Sequence, residues 1–418
     1  MNILMLSDVY FPRVNGVSTS MQTFCRELVG SGHAVTVVAP DYGMPDPAPE
    51  FEIIRLSSRR IFFDPEDRLI RKSAARTIVP ELARRRWDVI HIHTPFRAHA
   101  IGVALSRLTG RPTVESYHTY FEEYVANYLP WFPTAPMRFF VRMFSRRLCA
   151  AVDHLIVPSA EMADVLRRYG IETGSTVVPT GIRLDEFAGG DAAKFRGAHG
   201  IGATQPMLLT VSRLAIEKNI DFLLEVARLV KREFEDFVFV VAGEGPDAPR
   251  LKRRAESLGL AAHVRFLGNL DRRTTLLDCY RAADVFVFAS STETQGLVLI
   301  EAMACGTPIV STAVMGTATV LRDARSALIS EENAETFAAC VTRLLRAPHE
   351  RAGLSAAGPI DARKWGAQAL MRGIVALYEQ LAQASRKDAP LRGGPVRRTR
   401  APAPDRAAPA AAETRDNS

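Results

Sequence analysis

Two glutamates eight positions apart, Glu293 and Glu301, are the side chains of this sequence best suited to chemistry. They frame a polar turn between an apolar run at residues 285–288, typical of a buried parallel strand, and a helical pattern at residues 297–306. A helix N-terminus at the carboxyl end of a strand offers free N–H groups to an anion, and a neighbouring carboxylate can accept hydrogen bonds from sugar hydroxyls. The alternative is a plain helix whose N-terminal acid is favoured by the helix dipole.

Two cations, Arg213 and Lys218, follow the apolar run at residues 207–211. Arg and Lys together at a strand end suit a diphosphate, whereas a single loop cation is usually solvated. Near the N-terminus, Asn15-Gly16-Val17 supplies a glycine turn where a phosphate or sugar could approach the backbone. No G-x-G-x-x-G occurs there, which argues against an ordinary dinucleotide site.

Other polar residues end predicted strands and allow two interpretations. His91, His93 and His118 could face a ligand or serve as structural hydrogen-bonding groups. Residues 243–246, which include Glu244, form a Gly-Glu-Gly-Pro sequence that a simple turn would also explain.

Short apolar runs alternate with amphipathic segments along the chain, which predicts an α/β fold of two doubly wound domains facing a cleft. The joint should lie near residues 182–206, where glycines interrupt the apolar pattern. The predicted strands are residues 3–6, 34–39, 89–93, 113–117, 155–157 and 176–178 in the first half, and 207–211, 237–242, 264–267, 285–288 and 309–310 in the second. A helix follows Ser18 and Thr19, and others are predicted to begin near Ile220, Pro246, Thr274, Leu297 and Ala334.

The length of 418 residues predicts two domains and a tail. We place the first domain at residues 1–185, a linker at 186–205 and the second domain at 206–360. Residues 361–384 have helical apolar spacing, and the Pro/Ala/Arg-rich residues 385–418 are expected to be disordered.

Composition limits the function classes. Five cysteines without a Cys-x-x-Cys indicate a reducing compartment and argue against a zinc site. The absence of an 18-residue apolar run and of a signal-peptide pattern predicts a cytoplasmic protein without membrane spans. A net charge of +7 is compatible with an anionic substrate or membrane surface, and it gives little support to nucleic acid as a partner.

The order and spacing of these motifs resemble the retaining glycosyltransferases of family 4, which have the two-domain GT-B fold. The resemblance runs from about Asn2 to Ala382 and depends on the Glu-x7-Glu pair, the two cations and the turn at Gly268. Residues 292–297, 93–96 and 117–124 are most similar to the bacterial enzymes that glycosylate diacylglycerol. In this family the last helix crosses back to the first domain.

The resemblance implies a role for each motif. Arg213 and Lys218 would hold the diphosphate of a nucleotide sugar and stabilise its leaving charge, Glu301 would bind the ribose, and Glu293 with the following amides would grip the sugar. Gly268 and Asn269 would face the base, and Gly16 the phosphates. The implied catalytic set is His118, Arg213, Lys218 and Glu293, and the donor-binding set is Gly16, Glu244, Gly268, Asn269, Thr294, Gln295, Gly296, Leu297 and Glu301.

The resemblance implies that His118 would bond the primary hydroxyl of the sugar or the acceptor. No Asp-x-Asp precedes a candidate metal site and the cations already neutralise the diphosphate, so we expect neither a metal nor a cofactor. The nucleotide sugar is then a substrate.

The pattern of residues 138–146 predicts a helix that contacts an anionic membrane. Its Arg138, Arg142 and Arg146 follow one another at i,i+4 with aromatic residues between them, which is typical of an interfacial helix. The alternative is a surface helix that buries its aromatics in its own domain. The interleaved aromatic residues are Phe139, Phe140 and Phe144.

The resemblance thus implies a retaining enzyme at the cytoplasmic face of the membrane that transfers a hexose, with UDP-glucose favoured as donor, to a lipid such as 1,2-diacylglycerol. One alternative is a GDP-mannose-dependent α-mannosyltransferase acting on phosphatidylinositol or another glycolipid. Alternatives of other classes are a nucleotide-sugar epimerase and a non-catalytic nucleotide-sugar sensor.

Overall fold

The computed structural model describes residues 1–44, 50–60, 68–118 and 134–387. Two segments discussed above lie outside these described residues: residues 119–124 of the Tyr-containing segment 117–124, and the tail from residue 388 onward.

The first domain is built on a parallel sheet of seven strands in the order β3-β2-β1-β6-β7-β8-β9, and β4 and β5 form a separate antiparallel pair. The strands are β1 (Asn2–Leu6), β2 (Ala34–Pro40), β3 (Glu52–Leu56), β4 (Ser58–Arg60), β5 (Arg68–Ile70), β6 (Val89–Ile92), β7 (Thr113–Ser116), β8 (His154–Val157) and β9 (Ser175–Val177). The helices are α1 (Gly16–Gly30), α2 (Lys72–Ala83), α3 (Arg97–Thr109), α4 (Thr134–Cys149) and α5 (Ala160–Arg168).

The second domain has a six-stranded parallel sheet in the order β12-β11-β10-β13-β14-β15. Its strands are β10 (Met207–Val211), β11 (Val238–Ala242), β12 (Val264–Gly268), β13 (Val285–Phe288), β14 (Ile309–Ser311) and β15 (Ala327–Ile329). Its helices are α6 (Ala192–Ala198), α7 (Ile220–Val230), α8 (Ala248–Ser257), α9 (Thr275–Ala282), α10 (Leu297–Ala304), α11 (Gly316–Leu321), α12 (Ala334–Arg346) and α13 (Pro348–Ala362), and α14 (Ala367–Lys387) follows.

Two doubly wound parallel sheets confirm the predicted fold class. Strands β3 and β15 were not predicted: both are edge strands, β3 has Arg55 within its apolar residues, and β15 has only three residues, none of which is buried. The segment predicted as a linker differs as well: it contains α6, and Phe187, Phe195 and Ile201 lie buried in the core of the second domain. Its glycines therefore connect folded elements instead of forming a free spacer.

Helix α14 returns to the first domain, as predicted. Its Met371, Ile374 and Tyr378 are buried in one cluster with Met5 and Phe24 of the first domain. The chain makes this return beside the outgoing connection, where Ile182 bridges Gly366 in a parallel arrangement. The two passages touch so closely that a Cβ on Gly181 would lie 2.3 Å from the Cα of Ala367.

Among the described residues, no helix combines the length and the apolar character that crossing a membrane requires.

Candidate active site

Lys218 and Glu293, which are distant in sequence, meet at the carboxyl edge of the second sheet. Lys218 ends a 3-10 turn after β10, and its Nζ lies 2.5 Å from a carboxylate oxygen of Glu293, which follows β13. Both side chains are about one-fifth exposed, at 19% and 21%. Arg213 lies half-buried in the same β10 loop. A donor that binds Lys218 must therefore share this cation with Glu293 or displace the carboxylate.

The turn after Glu293 contacts the first domain directly. The Thr294 hydroxyl donates to the carbonyl of His118 at 3.0 Å. The Gln295 side chain accepts from the backbone N–H of Thr180 and donates to the Thr180 carbonyl, both at 2.7 Å. Gln295 was predicted to bind donor, whereas its buried side chain pairs with the backbone of the opposite domain. Only the backbone amides of this turn fit the predicted sugar contact.

Glu301 is completely buried on α10, and both of its carboxylate oxygens are engaged. Tyr280 donates its hydroxyl at 2.9 Å, and Arg272 forms a close ion pair with the other oxygen. Burial raises the pKa of the Tyr280 hydroxyl well above its ordinary value, so Tyr280 remains a proton donor. A ribose hydroxyl that bonds this buried carboxylate would therefore have to replace Arg272 or Tyr280 as its partner.

The expected base-facing turn is assembled from two adjacent loops. The N–H of Gly243 donates to the carbonyl of Gly268 at 2.7 Å, and Asn269 donates to the Glu244 carboxylate at 3.0 Å. Gly268 has φ +70°, a left-handed conformation that favours glycine, and a Cβ there would lie 3.1 Å from Glu244. Glu244, Gly268 and Asn269 thus form one surface.

Gly16 begins α1, whose N-terminus is closed by a capping box between Asn15 and Ser18. A Cβ on Gly16 would have no heavy atom within 4 Å, so the fold itself does not require glycine there. At the opposite side of the cleft, Gly296 has φ +89° and precedes Leu297 at the start of α10. Gly16 therefore leaves space at a helix end, whereas Gly296 is required by the backbone.

The three strand-end histidines form one cluster, in which His91 and His93 are buried and His118 is partly exposed. The rings of His91 and His93 lie 4.0 Å apart, and His93 Nδ1 is 3.1 Å from His118 Nε2. The other nitrogen of His93 lies 3.3 Å from the Met5 sulfur. The hydroxyl of Tyr378, on α14, lies 2.5 Å from His91 Nδ1.

Burial keeps these rings neutral near neutral pH. It lowers the pKa of His118 to about 4 and that of His91 to about 3. Burial also lowers the pKa of His93 well below its ordinary value, and the neighbouring histidines contribute. His118 can therefore exchange hydrogen bonds with a substrate without carrying a charge.

Helix α4 presents its aromatic residues to solvent. Phe139, Phe140 and Phe144 are 63%, 57% and 43% exposed, whereas Ser145 and Cys149 on the other face are buried. The alternative in which the helix buries its aromatics is therefore wrong for this structure. Arg138 and Arg146 are also exposed, but Arg142 stacks over the ring of Tyr169 at 5.4 Å and so contacts its own domain.

Several residues that shape the candidate site were not predicted from the sequence. Thr180, Arg272 and Tyr280 have no motif of their own, and their roles depend on partners distant in sequence. Gly316 is a further example, since a Cβ there would lie 1.9 Å from the Thr294 carbonyl.

In the described ranges, no group of three His, Cys, Asp or Glu side chains is arranged to hold a metal ion.

Two family models match the chain. Residues 14–186 match "Glycosyltransferase Family 4" and residues 191–360 match "Glycosyl transferases group 1". An alpha-monoglucosyldiacylglycerol synthase of Streptococcus pneumoniae is 33% identical over 317 residues, covering 74% of this chain and 71% of that protein. A D-inositol 3-phosphate glycosyltransferase 2 of Catenulispora acidiphila is 34% identical, covering 70% of this chain and 71% of that protein.

Solved structures agree on the fold. A sucrose-phosphate synthase from Thermosynechococcus elongatus has a TM-score of 0.74 at 23% identity, covering 92% of this chain and 99% of that one. Anabaena HepE in complex with UDP and glucose has a TM-score of 0.73 at 16% identity, covering 91% and 100%. With the family matches, these similarities show that the chain belongs to the family 4 glycosyltransferases of the GT-B fold.

Proposed function

We propose that this glycosyltransferase transfers glucose from UDP-glucose to 1,2-diacylglycerol in the membrane, with retention of configuration and without a metal. The observation that carries the lipid acceptor is the exposed aromatic face of α4. Three phenylalanines and Met143, which is 50% exposed, cover one side of this helix. Exposed aromatics flanked by arginines suit the boundary between headgroups and acyl chains.

The helix that carries this exposed face also contacts the candidate site through its opposite, buried face. The buried side of α4 carries Ser145, whose hydroxyl lies 3.1 Å from that of Tyr117. Tyr117 directly precedes His118. One hydrogen-bonded contact and one peptide bond thus connect α4 to His118, which supports a membrane-bound α4 placing the first-domain side of the candidate site near the lipid surface.

The polar groups of the site support the transfer step. Arg213 and Lys218 neutralise the diphosphate as the bond between the sugar C1 and the phosphate oxygen breaks. The acceptor hydroxyl attacks C1 from the same face, and its proton passes to the departing phosphate oxygen. The products are the α-glycoside and UDP. Glu293 and the amides that follow it orient the sugar, and Glu301 binds the ribose.

The relatives support glucose and diacylglycerol, since two of them are named alpha-monoglucosyldiacylglycerol synthases. An inositol phosphate acceptor is the main competitor, because a relative named for that acceptor is equally similar. A GDP-mannose-dependent relative is 25% identical. The exposed face of α4 favours the lipid over the soluble acceptor.

The test is a product screen with the full-length chain. Labelled UDP-glucose and GDP-mannose are each incubated with diacylglycerol vesicles, phosphatidylinositol vesicles or soluble inositol 3-phosphate, and products are identified by mass spectrometry. We expect glucosyl-diacylglycerol, with the α configuration by NMR and unchanged rates in a chelator. Glucose transfer only to inositol phosphate would overturn the acceptor, and interconversion of the donor without any acceptor would indicate an epimerase.

Membrane binding is tested separately by vesicle sedimentation. The protein should pellet with phosphatidylglycerol vesicles at low salt and less at high salt, since each basic residue near an anionic surface contributes about 1 kcal/mol. Arg138→Glu/Arg146→Glu should reduce pelleting at least tenfold. Arg232→Glu/Arg253→Glu makes the same charge change on exposed positions of the second domain and should pellet normally. Equal loss in both variants would contradict a specific role for α4.

A further inference from the structure

A linear chain of contacts connects a buried sulfur to the candidate catalytic histidine. The Met5 sulfur lies 3.3 Å from His93 Nε2, and His93 Nδ1 lies 3.1 Å from His118 Nε2. Met5 is completely buried on β1, and His93 is 2% exposed just after β6. Each link joins one donor to one acceptor, so the chemistry of its first member constrains all the others.

The thioether of Met5 has no proton and can only accept a hydrogen bond. His93 must therefore carry its proton on Nε2 to use this contact. A neutral ring with its proton on Nε2 has a lone pair on Nδ1, so His93 accepts from His118. His118 then carries its proton on Nε2, and its Nδ1 has a lone pair.

We propose that Met5 and His93 fix the tautomer of His118, so that His118 Nδ1 faces the substrate as a hydrogen-bond acceptor. His93 is thus a positioning residue, and Met5 sets its direction. The inference extends the proposed function, because it states what His118 can recognise. A hydroxyl of the sugar or the lipid can donate to Nδ1, whereas a carboxylate or phosphate in the same place offers only further lone pairs.

The neighbouring His91 shows why the sulfur matters. His91 contacts the hydroxyls of Tyr378 and Ser116, at 2.5 Å and 2.8 Å. A hydroxyl can donate or accept, so these partners allow either tautomer. Only the chain that ends on sulfur has a fixed direction.

The requirement that both histidine rings of this chain be neutral is met by their desolvation. Desolvation lowers the pKa values of His93 and His118, so an additional proton that would make either ring cationic is disfavoured near neutral pH. Each ring then holds one proton, and the remaining question is which nitrogen carries it.

The tautomers can be read directly by NMR. A long-range proton–nitrogen correlation spectrum of the full chain with isotope-labelled histidine distinguishes Nδ1-protonated from Nε2-protonated rings, and His118→Asn assigns the His118 signals. We expect the His118 proton on Nε2 at neutral pH. A proton on His118 Nδ1 would overturn the proposal. The measurement needs neither donor nor acceptor, so it stands apart from any failure of the proposed function.

Met5→Leu keeps the apolar volume and removes the acceptor. We expect it to populate the other His118 tautomer to a measurable fraction and to lower kcat/KM by about three- to tenfold, as for one misdirected hydrogen bond, while UDP affinity is unchanged. Met21→Leu makes the same change elsewhere in this core and should leave the tautomer as in the wild type. An unchanged His118 tautomer in Met5→Leu would show that the sulfur does not direct the chain and would refute the proposal.

Discussion

The first-domain side of the cleft is held together by neutral rings, whereas the second-domain side is held together by ion pairs. His91, His93 and His118 contact one another and are kept uncharged by burial. Across the cleft, Lys218 pairs with Glu293, and Arg272 pairs with Glu301. Under the proposed function, this difference corresponds to a division of work: neutral groups direct hydrogen bonds on the sugar and acceptor side, and charged groups act on the diphosphate and ribose side.

The most severe test of the charged side is Lys218→Ala. Loss of a preorganised cation on the leaving group should lower kcat by about a hundredfold or more, corresponding to about 3 kcal/mol of transition-state stabilisation. Steady-state kinetics with the best donor measures this. Lys231→Ala, which removes a cation that donates to the Gly259 carbonyl away from the candidate site, should have near-normal kinetics. Near-normal turnover in Lys218→Ala would mean that Lys218 does not bind the diphosphate.

The two glutamates should separate by what they bind. Glu301→Gln leaves the Arg272 guanidinium without a charged partner and replaces the charged ribose acceptor with a neutral amide, so we expect about tenfold or greater loss of affinity for free UDP. Glu293→Gln should leave UDP affinity within about threefold and change the preference among donor sugars. Calorimetric titration with UDP measures both variants. Equal losses would contradict the assignment of Glu301 to ribose and Glu293 to sugar.

The neutral histidines of the first domain should make the free energy of unfolding depend on pH. The folded-state pKa values of these histidines lie below the ordinary 6.5, so below pH 6.5 the unfolded chain binds more protons than the folded protein. The contribution of the neutral rings to the free energy of unfolding is therefore fully present above pH 6.5. It is lost as pH falls from 6.5 toward the folded pKa values of about 4 and about 3, at up to about 1.4 kcal/mol per pH unit for one ring. Urea unfolding at pH 7 and pH 5.5 measures the slope.

His93→Phe removes one of the titrating rings and should give a shallower slope than the wild type. A stability that is constant between pH 7 and pH 5.5 would contradict the neutral assignment.

The smallest expected effect concerns the contact between the two sides. Gln295→Glu can still accept from the Thr180 N–H but cannot donate to the Thr180 carbonyl, so closure of the cleft should be weakened by about 1 kcal/mol. We expect kcat/KM to fall about fivefold, with a larger radius of gyration by X-ray scattering. Gln205→Glu changes an amide at the surface of the second domain and should alter neither quantity.

The sequence was sufficient for the fold class and for the loops that carry the site. Parallel strands present their carboxyl ends at one edge, so apolar runs followed by polar residues locate Lys218, Glu293 and His118 at that edge. Pairing could not be predicted, because it depends on side-chain direction across long separations. Gln295 and Thr180 are 115 positions apart, and Met5 and His93 are 88 apart.

The edge strands and the linker show a second limit. Strand β3 has Glu52 and Arg55 among its apolar residues, so its sequence lacks the continuous apolar run by which the buried strands were recognised. The glycines near residue 190 were interpreted as a spacer, yet Gly190 has φ +105° and packs against Leu277. A glycine that permits close packing and a glycine that permits flexibility are identical in sequence.

Because α14 returns to the first domain, that domain consists of two segments that are separated in the sequence by the second domain. During synthesis, residues 1–185 leave the ribosome long before Met371, Ile374 and Tyr378, which complete their core. The first domain therefore cannot complete its core until α14 has been synthesised, and His91 acquires the Tyr378 hydroxyl only then. A split protein cut near residue 190 should accordingly recover activity only when the downstream fragment carries α14, as in fragment complementation.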